Sequence, residues 1–317
     1  MDHQETNPMI RKVLLWLGVA VLLIVVILVV AISMRWNRRF QAPYPNVAAS
    51  RDPAILARGR YLAYGPAHCS DCHTAPADYA SLETGSSPSL SGGLEFPIPL
   101  GTIRVPNLTS DSATGIGRRS DGELARMLRY GVRADGRAAI PFMEYHELSD
   151  ADLVALVSFL RTQPAVRHPV PDHDLNLLGK AVMAFAIKPV GPTGTPPAES
   201  PPSGPTLARG EYLVMAVGNC AGCHTQRSMV TGEYTGRRLA GGAPMEAGDK
   251  AHTKLVPPDI TGDSTGRAAV WTEDEFVARF HAGVRIPGSP MPWQAFRRIT
   301  DDDARAIYRY LRSLRGS

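Results

Sequence analysis

Apolar residues along this chain follow two different patterns. Residues 13–32 form twenty consecutive positions without a charge, sixteen of them Leu, Ile or Val. That run is apolar on every side, and its length matches the hydrocarbon core of a bilayer, so it predicts one membrane-crossing helix. Each Leu, Ile or Val favours insertion by about 0.3–0.6 kcal/mol. Beyond residue 40 the pattern becomes amphipathic. Leu153, Leu156, Val157 and Leu160 recur at helical spacing after Ser149-Asp150-Ala151-Asp152, and Ile307, Tyr308 and Leu311 do so after Thr300-Asp301-Asp302-Asp303. Ser120-Asp121-Gly122-Glu123 and Thr272-Glu273-Asp274-Glu275 read as capping boxes that open two more helices. A short helix is expected over residues 54–64. No stretch alternates as a strand, so the predicted class is all-α.

The amphipathic part repeats itself. Leu56-Ala57-Arg58-Gly59-Arg60-Tyr61-Leu62 answers Leu207-Ala208-Arg209-Gly210-Glu211-Tyr212-Leu213 at an offset of 151. Val105-Pro106-Asn107-Leu108-Thr109 answers Pro257-Pro258-Asp259-Ile260-Thr261, and Gly131-Val132-Arg133 answers Gly283-Val284-Arg285, at an offset of 152. A duplication explains this economically. The expected organisation is an anchor over 1–40, a Pro-rich tether over 41–53 running away from the bilayer, and a first domain over 54–165. An apolar segment and Pro-rich connector over 166–206 and a second domain over 207–317 follow. Residues 189–206 can form neither helix nor central strand. The apolar stretch 175–187 is expected either as a helix packed on the first domain or the seam, or as a docking surface for a membrane partner.

Charge narrows the functional classes. The net charge of +4 is scattered, with no basic stripe interleaved with aromatics, so nucleic-acid binding has no support. The 29 Gly and 27 Pro predict long irregular loops between short helices. A cleaved signal peptide competes with the anchor, since Ala31-Ile32-Ser33 is a passable cleavage site. The apolar run, however, exceeds the usual signal core of about 7–15 residues, which favours an uncleaved anchor.

All four cysteines lie in two motifs, Cys69-Ser70-Asp71-Cys72-His73 and Cys220-Ala221-Gly222-Cys223-His224. Thiols three positions apart sit on neighbouring faces of one helical turn, where both can add to the vinyl groups of one porphyrin. The following His then offers an imidazole nitrogen to the iron. A shared zinc site or a thioredoxin-like redox pair is the alternative. Against zinc, 147 residues separate Cys72 from Cys220, and a His follows each pair. Two covalently attached haem c groups are therefore expected. Because such attachment takes place outside the bacterial cytoplasmic membrane, the body is expected in the periplasm and the anchor in the inner membrane. For the sixth ligand of the second iron, Met291 stands between Pro290 and Pro292, which stiffen a loop that must aim a thioether. Met215, Met229 and Met245 read as packing or loop residues. In the first copy, counting back from the last helix puts Ile140 in that place, whereas counting forward from Gly131 favours Met143. Met143 is taken as the ligand, with His146 or an open site as competitors.

The leader, the Cys-x-x-Cys-His-Thr motif, the Pro-Asn-Leu-Thr loop and the Met-Pro-Trp ending resemble class I cytochrome c domains. In particular they resemble the cytochrome c subunits of periplasmic alcohol, aldehyde and gluconate dehydrogenases, over about residues 54–317 without the connector. The resemblance implies two tandem cytochrome c domains, with Asn107, Thr109 and Thr261 (beside Asp259 in place of Asn) at the haem edges. It also implies an electron-transfer role with a dehydrogenase subunit, oxidase or other cytochrome as redox partner. Three features depart from those relatives: two haem motifs rather than three, an anchor rather than a cleaved signal, and no Pro after Met143. The alternative function is a diheme peroxidase with one weakly ligated iron.

Overall fold

The computed structural model describes residues 8–228, 233–246 and 253–315. Met229 therefore lies outside the described residues, as do the ends of the anchor and of the second predicted domain. The helices are α1 (Pro8–Arg35), α2 (Pro53–Tyr64), α3 (Cys69–His73), α4 (Tyr79–Glu83), α5 (Asp121–Tyr130), α6 (Asp150–Arg161) and α7 (Leu177–Phe185). They continue with α8 (Leu207–Tyr212), α9 (Cys220–His224), α10 (Arg267–Val270), α11 (Glu273–His281), α12 (Trp293–Phe296) and α13 (Asp301–Ser313). A wider π-type turn, Leu213–Val217, links α8 to the second motif.

Helix α1 is long and apolar enough to cross a membrane, and no residue of its most apolar window is buried. The capping boxes are present as read: Ser120 and Glu123 exchange bonds at the start of α5, and Thr272 and Glu275 do so at α11. Both halves share one helix crossing, with α2 packed along α6 and α8 along α13. Glycine makes that crossing possible. A Cβ on Gly59 would collide with the carbonyl oxygen of Ala155, and one on Gly210 would collide with that of Ala306.

The all-α expectation needs a correction, because the chain also forms short strands. β1 (Glu95–Ile98), β2 (Gly101–Arg104) and β3 (Asp174–Leu175) make an antiparallel sheet in that order, and β4 (Met245–Glu246) pairs with β5 (Lys254–Leu255). At two to four residues, these strands are too short to show a two-residue alternation. β1 also carries Pro97, which is tolerated because β1 is an edge strand. Helix α7 packs on this hairpin: Asn176 caps it and bonds the Pro99 carbonyl at 2.9 Å, and Gly179 lies against Leu100. It also touches the end of α1, where the Arg35 guanidinium lies 5.7 Å from the Phe185 ring centroid and the Lys180 ammonium 5.4 Å from that of Trp36. The reading of this apolar segment as a packed helix thus holds, although Leu177, Leu178 and Phe185 stay exposed.

Residues 41–52 are extended, but they lie on the first half instead of leading away from it. Ala49 N donates to Asp121 at 2.8 Å, Ser50 N donates to Ser158 at 2.8 Å, and the Tyr44 ring sits 4.3 Å from the Arg126 guanidinium. The connector is likewise bound to the body. The Pro197 and Ala198 carbonyls accept from Asp150 N and Ala151 N, at 2.9 Å each, and so satisfy two N–H groups that the first turn of α6 leaves free.

The two halves share one hydrophobic core, running from Leu62, Leu153 and Leu156 to Leu213, Phe296 and Leu311. At its edge they exchange a polar contact. Arg58 grips Asp152 with two bonds of 2.8 Å, and Arg209 grips Asp303 with bonds of 2.8 and 2.9 Å. Each carboxylate then receives a tyrosine from the opposite half: Tyr212 donates to Asp152 and Tyr61 to Asp303, both at 2.7 Å. Residue by residue this exchange is reciprocal, as in an isologous dimer interface formed within one chain.

Candidate functional site: two Cys-x-x-Cys-His turns

Each motif occupies a single helical turn reached through a residue with positive φ, His68 at 42° and Asn219 at 46°. Asn and His tolerate this left-handed conformation better than most residues, and it lets the chain leave the preceding helix and start the motif turn at once. The sequence reading passed over both, although each directly precedes the first cysteine of its motif. The half-buried His68 ring lies between Tyr145 and Phe296, with centroids 6.3 and 5.5 Å away.

The two motif histidines are alike in detail. His73 and His224 are buried, and Nδ1 of each lies against a proline carbonyl: Pro106 at 3.0 Å and Pro258 at 2.8 Å. A carbonyl can only accept, so Nδ1 carries the proton and Nε2 keeps its lone pair. Burial pulls the His73 pKa down to about 4 and lowers that of His224, although the carbonyl bonds oppose the shift. Both rings are therefore neutral near neutral pH, the form that binds a metal. The backbone repeats as well, since the His73 carbonyl accepts from Gly92 N at 2.7 Å and the His224 carbonyl from Gly241 N at 3.0 Å.

The proline carbonyls are held by the loops that follow them. Asn107 Oδ1 accepts from Thr109 N at 2.9 Å and from its hydroxyl at 2.7 Å, while Asn107 Nδ2 donates to the Val166 carbonyl at 2.9 Å. Asp259 Oδ1 accepts from Thr261 N at 2.8 Å and from its hydroxyl at 2.6 Å. Asn107, Thr109 and Thr261 thus bond within the turn that aims a carbonyl at the motif imidazole, and Asn107 and Thr109 also tie it to Val166. The substitution of Asp259 for Asn keeps the accepting half of that turn.

The donor set fits covalent haem. All four cysteines are unpaired, and burial pushes the thiols of Cys69, Cys72 and Cys220 up to about 12 and raises that of Cys223. Among the described residues no group of three or more His, Cys, Asp or Glu could enclose a metal ion, so the shared zinc site has no ligand cage. Asp71, inside the first motif, is a further buried group that sequence reasoning missed. Burial raises its carboxyl to about 7 against the pull of backbone bonds from Ala295 and Gln294 and of the Tyr79 hydroxyl.

The distal candidates separate. Met291 is half-buried against the core. Behind it, Trp293 is buried with the Arg279 guanidinium 3.6 Å from its ring centroid. In the first half Ile140, not Met143, occupies the corresponding backbone place: Phe142 N donates to the Ile140 carbonyl at 2.7 Å, as Trp293 N does to Met291 at 2.7 Å. Met143 falls three residues further on, where the second half has Gln294. His146 is half-buried, and its carbonyl accepts from Arg129 at 2.9 Å.

Comparison with known proteins agrees with this geometry. A cytochrome c family model matches residues 207–315. The chain is 32% identical over 286 residues to the cytochrome c subunit of a quinone alcohol dehydrogenase from Gluconobacter oxydans, covering 84% of this chain and 56% of that protein. It is 28% identical over 280 residues to the gluconate 2-dehydrogenase cytochrome c subunit of Pantoea cypripedii, covering 82% and 60%. To a diheme cytochrome c-type protein of Cereibacter sphaeroides it is 29% identical over 252 residues, covering 77% and 81%. The chain thus spans little more than half the length of the two dehydrogenase subunits. Residues 207–315 thus form a cytochrome c domain, and over most of its length the chain is similar to the cytochrome c subunits of dehydrogenases.

Proposed function

We propose that this protein is a membrane-tethered diheme cytochrome c that carries electrons from a dehydrogenase or quinol-linked donor to a downstream carrier or oxidase. The observation that carries the reading is the duplicated turn, in which a buried, neutral His is held through Nδ1 beside two free thiols. In this reading Cys69 and Cys72 hold one haem and Cys220 and Cys223 the other. His73 and His224 are the proximal ligands, and Met291 is the distal ligand of the second. Haem supplies a reversible one-electron couple when bound. The chain orients each imidazole, excludes water from it, and fixes the two halves against each other through a shared core.

The halves are read as tandem class I cytochrome c domains over 54–165 and 207–317, with α1 as an inner-membrane anchor that leaves both in the periplasm. The similarity to dehydrogenase cytochrome subunits supports a dehydrogenase partner, and electron transfer within such a complex rather than catalysis by this chain alone. The test is a haem count and redox titration of the detergent-extracted protein. Two haems per chain and two one-electron steps are expected; a colourless or zinc-bearing protein refutes the proposal. Recovery of the protein from alkaline-washed membranes tests the anchor, and release into the wash would refute it.

A further inference from the structure

We propose that the iron held by His73 has no side-chain ligand on its distal side and is open to a small exogenous ligand of the carbon monoxide class, while the iron held by His224 is closed by Met291. This rests on the haem reading above. The repeat sets the two halves in one register. The segments that approach each distal side start from an equivalent glycine after α5 or α11, Gly131 with φ 60° and Gly283 with φ 66°. They end on equivalent caps, Ser149 and Thr300. Just before the caps, Leu148 and Ile299 are buried, and Tyr145 and Phe296 both pack on His68.

Counting back from those fixed points, Ile140-Pro141-Phe142 lies on Met291-Pro292-Trp293. The local geometry confirms the register. Pro292 has φ −75° and ψ 64°, the centre of an inverse γ-turn closed by the Trp293-to-Met291 bond of 2.7 Å. The bond from Phe142 to Ile140, also 2.7 Å, closes the same three residues around Pro141. The turn that presents a thioether in the second half presents a sec-butyl group in the first. Isoleucine has no lone pair to offer iron.

In the second half, the register places of Met143 and His146 are held by Gln294 and Arg297, which reach across to the first half. Met143 takes the register place of Gln294, whose amide reaches across to Glu83 at 3.2 Å. The neighbour of Met143, Glu144, reaches across in the opposite sense, accepting from the Tyr234 hydroxyl at 2.7 Å and pairing with Arg227 at 3.6 Å. Met143 and Met291 are both half-buried against the shared core, so the register of the turn, not burial, separates them. His146 takes the place of Arg297, whose guanidinium donates to the Glu83 carbonyl across the seam at 2.9 Å.

The purified holoprotein provides the test, read by haem count, by spin state in the ferric form and by carbon monoxide titration of the ferrous form. The expected result is one high-spin and one sulfur-ligated low-spin iron, with one carbon monoxide bound per two haems. Ile140→Met should abolish carbon monoxide binding and add a second sulfur-to-iron charge-transfer band. Met291→Leu should raise the stoichiometry to two per chain, and Met143→Leu should leave the native spectrum unchanged. A chain with two haems that binds no carbon monoxide overturns this proposal alone, and so does a Met143→Leu variant that gains a binding site. A chain without haem overturns the haem reading and this proposal together.

Discussion

Replacing Arg209 with leucine probes the exchange that joins the halves. The Arg209 and Asp303 side chains are only 2% and 4% exposed, so the substitution strands a carboxylate where water does not reach it. The Tyr61 hydroxyl still donates to it, and the Arg58 guanidinium acts on it from a longer distance. Removing one partner of a buried pair costs about 3–5 kcal/mol. The equivalent Arg58 is 25% exposed, so water can follow into its place beside Asp152, and Arg58→Leu should cost about 1–3 kcal/mol. Burial by itself would raise the Asp303 carboxyl, but bonds from Arg209 and Tyr61 outweigh it and hold the group below the ordinary carboxylate range. A depressed folded value stabilises the native state fully above the unfolded value and loses that stabilisation as pH falls through the folded one. In Arg209→Leu the stranded carboxyl takes up a proton at higher pH, so the deficit should be widest near neutrality and narrow on mild acidification. Denaturant titrations followed by haem absorbance and far-ultraviolet circular dichroism measure both quantities. Equal losses for the two arginines, or a deficit that does not change with pH, would refute the reasoning.

Three further perturbations follow from the same geometry. Gly210→Ala should destabilise the protein by about 1–3 kcal/mol or more, because the new methyl group collides with the Ala306 carbonyl; thermal unfolding reads the loss, and an unchanged midpoint would contradict the close crossing. Met291→Ala should lower the potential of the second haem without releasing it, since thioether ligation favours ferrous iron and the thioether bonds remain; redox titration with a haem stain on denaturing gels checks both parts. Asn107→Ala unties the turn that aims the Pro106 carbonyl, which weakens the bond to His73 Nδ1 and makes that imidazole a poorer donor. The first haem's potential should therefore rise while the second stays in place.

Much of this arrangement was legible in the sequence, for local reasons. The capping boxes at Ser120 and Thr272 need only residues three apart, and the haem motifs only residues within one helical turn. The offset of 151 shows the internal repeat without any knowledge of the fold. What escaped the reading depends on partners far away in the chain. Nothing near Tyr61 reveals that its hydroxyl reaches Asp303, 242 residues away. The extended stretch 41–52 looks unpatterned because its backbone N–H groups find acceptors on Asp121 and Ser158, not in a repeating ladder. The distal position of the first half can be counted two ways from the sequence, and the proline-centred turn at Ile140, set by backbone geometry, supports the count back from the last helix.

The reciprocal tyrosine exchange changes what the proline-rich stretch between the halves is for. With an apolar interior held in common and a carboxylate on each side gripped from both, the peptide link does not keep the two pieces together. A single proteolytic nick near Gly194, where a side chain would meet open space, should leave an intact, coloured particle that separates into two bands only after denaturation.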